Sequence, residues 1–152
     1  MSSEELELEL ELGPVDIVVI GYPADAPQTG EAIPLFVDLV DRGVIRVLDV
    51  LLVHKNEDGS VAGMELSDLG DGLEELQVFE GASTGMLGEE DATTAGEALQ
   101  PGESAVMICF ENRWAAPFMA AVRRNGGQVL AFDRIPAQDV IDTIEALEAV
   151  EG

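Results

Sequence analysis

Basic residues are scarce in this chain, and so are most of the side chains that usually carry chemistry. Lys55 is the single lysine, His54 the single histidine, Cys109 the single cysteine and Trp114 the single tryptophan. Seven bases face 31 acids, for a formal charge of −24 at pH 7. A surface of that sign repels nucleic-acid phosphates and anionic lipid headgroups, which disfavours both as partners. It suits solubility, weak cation binding, a basic partner, or a salt-rich cytoplasm in which screening removes the self-repulsion. One cysteine excludes an intrachain disulfide and a thiolate metal cluster. Set within Ala105-Val106-Met107-Ile108-Cys109-Phe110, it reads as a small core hydrophobe. A nucleophilic role would need His54 brought beside it by the fold. No run approaches the ~18 apolar residues of a membrane helix. The N-terminus is acidic, where a secretory leader is basic and then apolar. Neither the phosphate-cradling loop with its lysine nor the dinucleotide-binding glycine fingerprint is present. These absences point to a cytoplasmic protein without a cofactor.

What the chain does hold is a short phrase stated twice. A proline opens an apolar helical run, a glycine closes it nine residues later, and a strand-like run ending in aspartate follows. The first copy is Pro34 to Gly43 with Ile45-Arg46-Val47-Leu48-Asp49; the second is Pro117 to Gly126 with Val129-Leu130-Ala131-Phe132-Asp133. Each copy is preceded by another strand-like run, Val15 to Gly21 or Ala105 to Phe110. With 152 residues and 47% apolar content, the chain is long enough for one domain with a real core.

Around the repeat the punctuation is clear. Glu5 to Leu12 alternates glutamate and leucine with period two, which suits a strand with one buried face. This arm adds to a sheet edge, frays, or reaches a second subunit. Val15 to Gly21 reads as a central strand buried on both faces. A helix runs from Gly30-Glu31 to about Arg42, with Ile33, Phe36, Val37 and Val40 on one stripe. Val44 to Lys55 is a long strand, Asn56-Glu57-Asp58-Gly59 a hairpin turn, and Val61 to Leu66 the antiparallel return. Residues 67–100 form an acidic, glycine-bearing insertion with helices near Asp71 to Glu80 and Glu89 to Leu99. Pro101-Gly102 leads to a strand from Ser104 to Phe110, and Asn112 is placed to cap the helix that follows. A strand at Gln128 to Arg134 and a last helix at Ala137 to Val150, with Val140, Ile141, Ile144 and Leu147 inward, complete the chain.

Two such units side by side predict an α+β, ferredoxin-like sandwich. Its parts are an arm at 1–12 and one domain at 13–152. The domain divides into halves at 13–66 and 101–135, the insertion at 67–100 and a C-terminal helix at 136–150. A flavodoxin-like doubly wound sheet is the alternative; the hairpin at Asn56 to Gly59 speaks against it.

The second half also resembles a known family. Leu99-Gln100-Pro101-Gly102-Glu103-Ser104-Ala105 is similar to its lead-in to a strand, and Glu111-Asn112-Arg113-Trp114-Ala115-Ala116-Pro117-Phe118 to its helix start. Gly126-Gly127, Arg134-Ile135-Pro136 and Gly85-Met86-Leu87-Gly88-Glu89-Glu90-Asp91 extend the match. The family is bacterial, mostly actinobacterial, and of unknown function. A related family carries a glycine-rich, apolar hairpin predicted to lie in the membrane where this chain has its insertion. Here that segment is acidic, so the membrane role is not carried over. The resemblance covers roughly residues 80 to 140 and implies no activity.

Candidate chemistry gathers at two places. Asp16, Asp49 and Asp133 lie on expected strands and could share a divalent cation through oxygen ligands, or simply accept bonds from Arg46, Arg113 or Arg134. Glu111-Asn112-Arg113-Trp114 sits where a strand meets a helix start, a position that favours anions. It forms either a cleft walled by Trp114 or a stapled turn in which Arg113 pairs with Glu111 or Asp133. The residues assigned to such a ligand or partner cleft are Asn112, Arg113, Trp114, Asp49, Asp133 and Arg134. No catalytic or metal residues are assigned. A ferredoxin-like sheet leaves an apolar second face that needs cover from the Leu6-Leu8-Leu10-Leu12 arm, the insertion or a second subunit. The reading is therefore a non-enzymatic, self-associating interaction module, a homodimer or larger homo-oligomer. The alternative is a small-ligand or divalent-cation sensor.

Overall fold

The computed structural model describes residues 12–25, 31–65 and 84–151. Within them lie β1 (Val15–Tyr22), α1 (Ala32–Asp41), β2 (Ile45–Lys55), β3 (Val61–Glu65), α2 (Glu89–Glu97) and β4 (Ser104–Asn112). A 3-10 turn (Arg113–Ala115), α3 (Ala116–Arg124) and α4 (Ala137–Glu151) follow. The strands make one four-stranded sheet in the order β1-β4-β2-β3, with each neighbouring pair antiparallel. β1 and β2 therefore run parallel on either side of β4 and are joined by α1, one split β-α-β unit. The second unit opens with β4 and α3 and goes no further. Residues 128–134, expected as a strand, are irregular and exposed; a strand exists only within a ladder, and among the described residues this segment has no neighbour to supply one. The fold is mixed α+β with an antiparallel sheet. Two complete β-α-β halves in a ferredoxin-like arrangement are not formed by the described residues.

The repeat is real at its most local level. Pro34 and Pro117 both sit in the first turn of a helix, where the missing N–H has no partner to lose. Both helices then stop in the same way. Val44 N–H reaches Leu39 O and Gly43 N–H reaches Val40 O, each at 3.0 Å. Gly127 N–H reaches Val122 O at 2.9 Å and Gly126 N–H reaches Arg123 O at 3.1 Å. These are paired Schellman closures, with Gly43 at φ +71° and Gly126 at φ +82° in the left-handed region that a Cβ disfavours.

The core lies on one face of the sheet. Register and alternation place Leu51 and Val53 of β2 beside Met107 and Ala105 of β4, with Cys109 next in line. α2 covers them with Ala92 and Ala95, helped by Leu87 and Leu99. Small side chains let this helix approach closely; at Gly96 a Cβ would collide with Val61 of β3. The helix starts at an acidic run for a physical reason. Asp91 accepts the Gly88 N–H at 2.8 Å, and Glu89, Glu90 and Asp91 complement the positive end of the helix dipole. The β2–β3 hairpin closes through Asn56 N–H to Ser60 O at 2.8 Å, with Gly59 at φ +87°.

Three expectations fail on burial or position. β1 is an edge strand rather than a central one, and Ile17 is 54% exposed. Val140, Ile141, Ile144 and Leu147 of α4 are exposed, since no described element packs extensively on the helix. Asn112 does not cap a helix with its side chain, which points back toward β1. The Glu-Leu arm through residue 11 and the helix expected near Asp71 to Glu80 lie outside the described residues.

If the two closures are equivalent, Gly43→Ala and Gly126→Ala each lower stability by about 1 kcal/mol, read from the midpoint of chemical denaturation. A large cost at one position and none at the other contradicts the equivalence.

Candidate functional site

The most elaborate polar structure stands at the end of the sheet where β1 begins and β4 ends. Val15 pairs with Glu111, and Ile45, the first residue of β2, pairs with Asn112. Successive side chains of a strand point to opposite faces, so Glu111 and Asn112 build two separate knots.

Glu111 continues the row Ala105, Met107, Cys109 onto the α2-covered face and is fully buried, with 0% of its surface exposed. A carboxylate removed from water must be met by donors. Its Oε2 accepts the Gly13 N–H at 2.8 Å, and its Oε1 accepts Arg46 Nε at 3.0 Å and Arg113 Nη1 at 3.4 Å. Arg46 stands opposite it in the β2–β4 register. The approach of Gly13 is close: a Cβ there would drive into the Asn112 carbonyl.

Asn112 faces the other way. Its Nδ2 donates to Pro14 O at 3.0 Å and to Asp16 Oδ2 at 2.8 Å, and its Oδ1 accepts the Trp114 indole N–H at 3.2 Å. Its main-chain N–H adds a bond to Pro14 O at 2.8 Å. The amide is thus engaged on both sides, and the Trp114 ring stays 59% exposed.

A third buried polar group lies at mid-sheet. β2 bulges between Val47 and Asp49, which shifts the register by one residue against β4. The bulge turns Asp49 inward, beside Cys109, where it is 1% exposed. Its Oδ1 accepts the Val50 N–H at 3.0 Å and its Oδ2 the Leu87 N–H at 2.8 Å. Asp49 thereby pins the segment leading into α2 against the sheet. Burial first, then the charges of Asp49 and Asp91, push the Cys109 thiol up, away from the thiolate. His54 points to the opposite face, its Nδ1 at 2.9 Å from Ser104 Oγ, so the two groups cannot act as a pair.

The expected cleft is therefore divided. Asn112, Arg113 and Trp114 are together, and Arg113 pairs with Glu111, as one of the two readings had it. Asp49 is on the other face from Asn112 and three β4 positions away. Asp133 and Arg134 are exposed beyond Gly127, with no hydrogen bond or ion pair among the described residues. Asp16, Asp49 and Asp133 are likewise apart, and no group of three or more metal-ligating side chains forms among the described residues. Sequence reasoning missed the central place of Glu111 and its bond to Gly13. The signal was present: Glu111 is the one charge in the row Ala105, Met107, Cys109, Glu111.

Among the described residues no buried side-chain nitrogen or oxygen lacks a partner, and no helix is long and apolar enough to cross a membrane. The knots clamp strands to each other and hold no polar group in reserve. They define a small α+β domain whose buried polar groups are structural. The model of a family of unknown function, DUF6325, matches residues 11–150, and the chain belongs to that family. No curated protein and no solved structure matches it.

Glu111→Ala leaves the Gly13 N–H without an acceptor and opens a cavity, and should cost about 3 kcal/mol by denaturation. Arg113→Ala, at a half-exposed and longer contact, should stay within about 0.5 kcal/mol. Asp49→Asn should cost about 1–3 kcal/mol and speed exchange of the Leu87 amide, because one of two N–H groups then meets another donor.

Proposed function

We propose that the protein is a self-associating interaction module without catalytic activity of its own. The observation that carries this reading is apolar surface concentrated on two stretches of chain. β1 exposes Val15, Ile17, Val18, Val19, Ile20 and Tyr22, on both of its faces. It is an edge strand with β-branched residues and neither lysine nor proline, the devices that commonly keep an edge from pairing. The second stretch runs from Val129 through α4 to Val150, where Leu130 is 92% exposed. It falls inside the region that the family shares, so it is part of the common unit rather than an appendage. Patches of this kind on a soluble domain mark contact surfaces. A ferredoxin-like sandwich is the form the chain would reach if residues 128–134 paired beside β1.

A sensor of small ligands or divalent cations has weaker support, because Glu111, Asn112 and Asp49 are already engaged with hydrogen-bonding partners in the protein. The charge of −24 opposes association of two copies and makes it depend on salt. Light scattering should give a mass of at least twice 16.1 kDa at micromolar concentration. The dimer should tighten as salt rises from about 0.1 M to about 1 M, over which the screening length falls from about 10 Å to about 3 Å. A monomer at every concentration and salt contradicts the reading.

A further inference from the structure

We infer that residues 128–134 of one chain form the fifth strand in the sheet of a second copy, along the edge of β1 that no described strand pairs. This rests on the self-association reading and specifies its interface.

The internal repeat fixes the place. In the first unit, the strand after the Schellman glycine is β2. It lies parallel to the opening strand β1, with one antiparallel strand, β4, between them. The second unit opens with β4 and closes α3 with the same turn at Gly126. Applied to that unit, the same rule sets residues 128–134 parallel to β4 with β1 between. That position is the free edge of β1, approached in the antiparallel sense that every pair in this sheet already has.

Length and chemistry agree with that place. The segment spans seven residues and β1 eight. In an extended chain Leu130 and Phe132 project to one side and Val129 and Ala131 to the other. β1 likewise presents apolar groups on both sides, Ile17 and Val19 against Val18 and Ile20. Neither segment carries lysine or proline. Main-chain bonds along the edge would supply the affinity and these side chains the register.

The donor is a second copy because the chain's own segment joins none of the described strands of its sheet. All residues from Asn125 to Val150 are exposed, and none of the described elements packs extensively on α4. Exchange of an identical element needs only that the connection at Gly126-Gly127 stay open. It is also reciprocal: each copy gives one strand and receives one, so a two-fold dimer closes and leaves no free β1 edge.

Cross-linking in full-length protein separates the possibilities. One chain carries Ile17→Cys and the other Ala131→Cys, both at exposed positions, while Cys109 is buried. The two are co-expressed and treated with a short bis-maleimide. A linked heterodimer is expected, and Ala131→Pro, which removes a strand N–H in a segment outside the ordered sheet, should weaken the dimer about ten-fold or more. A chain carrying both cysteines that yields only an internally linked monomer overturns the exchange, since the strand then joins its own sheet. A dimer that persists in Ala131→Pro without any link places the interface elsewhere; it overturns this inference and leaves self-association standing. A monomer with neither link overturns both.

Discussion

A buried carboxylate with no access to water sets the terms for one end of this sheet. A carboxyl group so buried must be met by donors, and Glu111 obtains them from three parts of the chain: Gly13 before β1, Arg46 in β2 and Arg113 after β4. β4 is an interior strand, and among the described residues β1 joins the sheet by pairing with it. In a chain with seven bases and 31 acids, two arginines are committed to this one carboxylate. Asn112 repeats the fastening on the other face, tying Pro14 and Asp16 to the same turn. The start of β1 is thus held from both sides, which lets an edge strand with exposed apolar residues keep its register.

The held edge and the free segment are two consequences of one topology. A split β-α-β unit encloses a strand between its two members. The first unit encloses β4 and is complete; the second would enclose β1 and lacks its last member. β1 therefore has the composition of an interior strand and the position of an edge. Val129, Leu130 and Phe132 have the composition of a strand and no ladder. Each supplies what the other lacks. Electrostatic repulsion between two strongly acidic copies is the opposing force, and salt weakens it.

Features that depend on neighbours in sequence were legible from the residues. Proline and glycine marked α1 and α3, Asn56 to Gly59 marked the hairpin, and the acids at 89–91 opened a helix. Features that depend on pairing were not. Alternation through β2 without a bulge would put Asp49 opposite Arg46; the extra residue at Leu48 brings both onto the α2 face, where one contacts Leu87 and the other Glu111. The candidate cleft joined Asp49, Asp133 and Arg134 to Asn112 by their place in the repeat. Repeat position says nothing about which face a residue occupies after a bulge, or whether the last strand is paired. Within the cleft, the part that held together, Asn112-Arg113-Trp114, is contiguous in sequence.

In the proposed interface, residues 128–134 of one copy meet the outer edge of β1 of another. Amide hydrogen exchange, resolved by residue and run at dilute and at concentrated protein, tests it most directly. Slowed exchange at Val129 to Phe132 and at the β1 amides that do not face β4, appearing together as concentration rises, is the predicted result. Fast exchange in both stretches at every concentration, with β2 and β4 protected throughout, would contradict it.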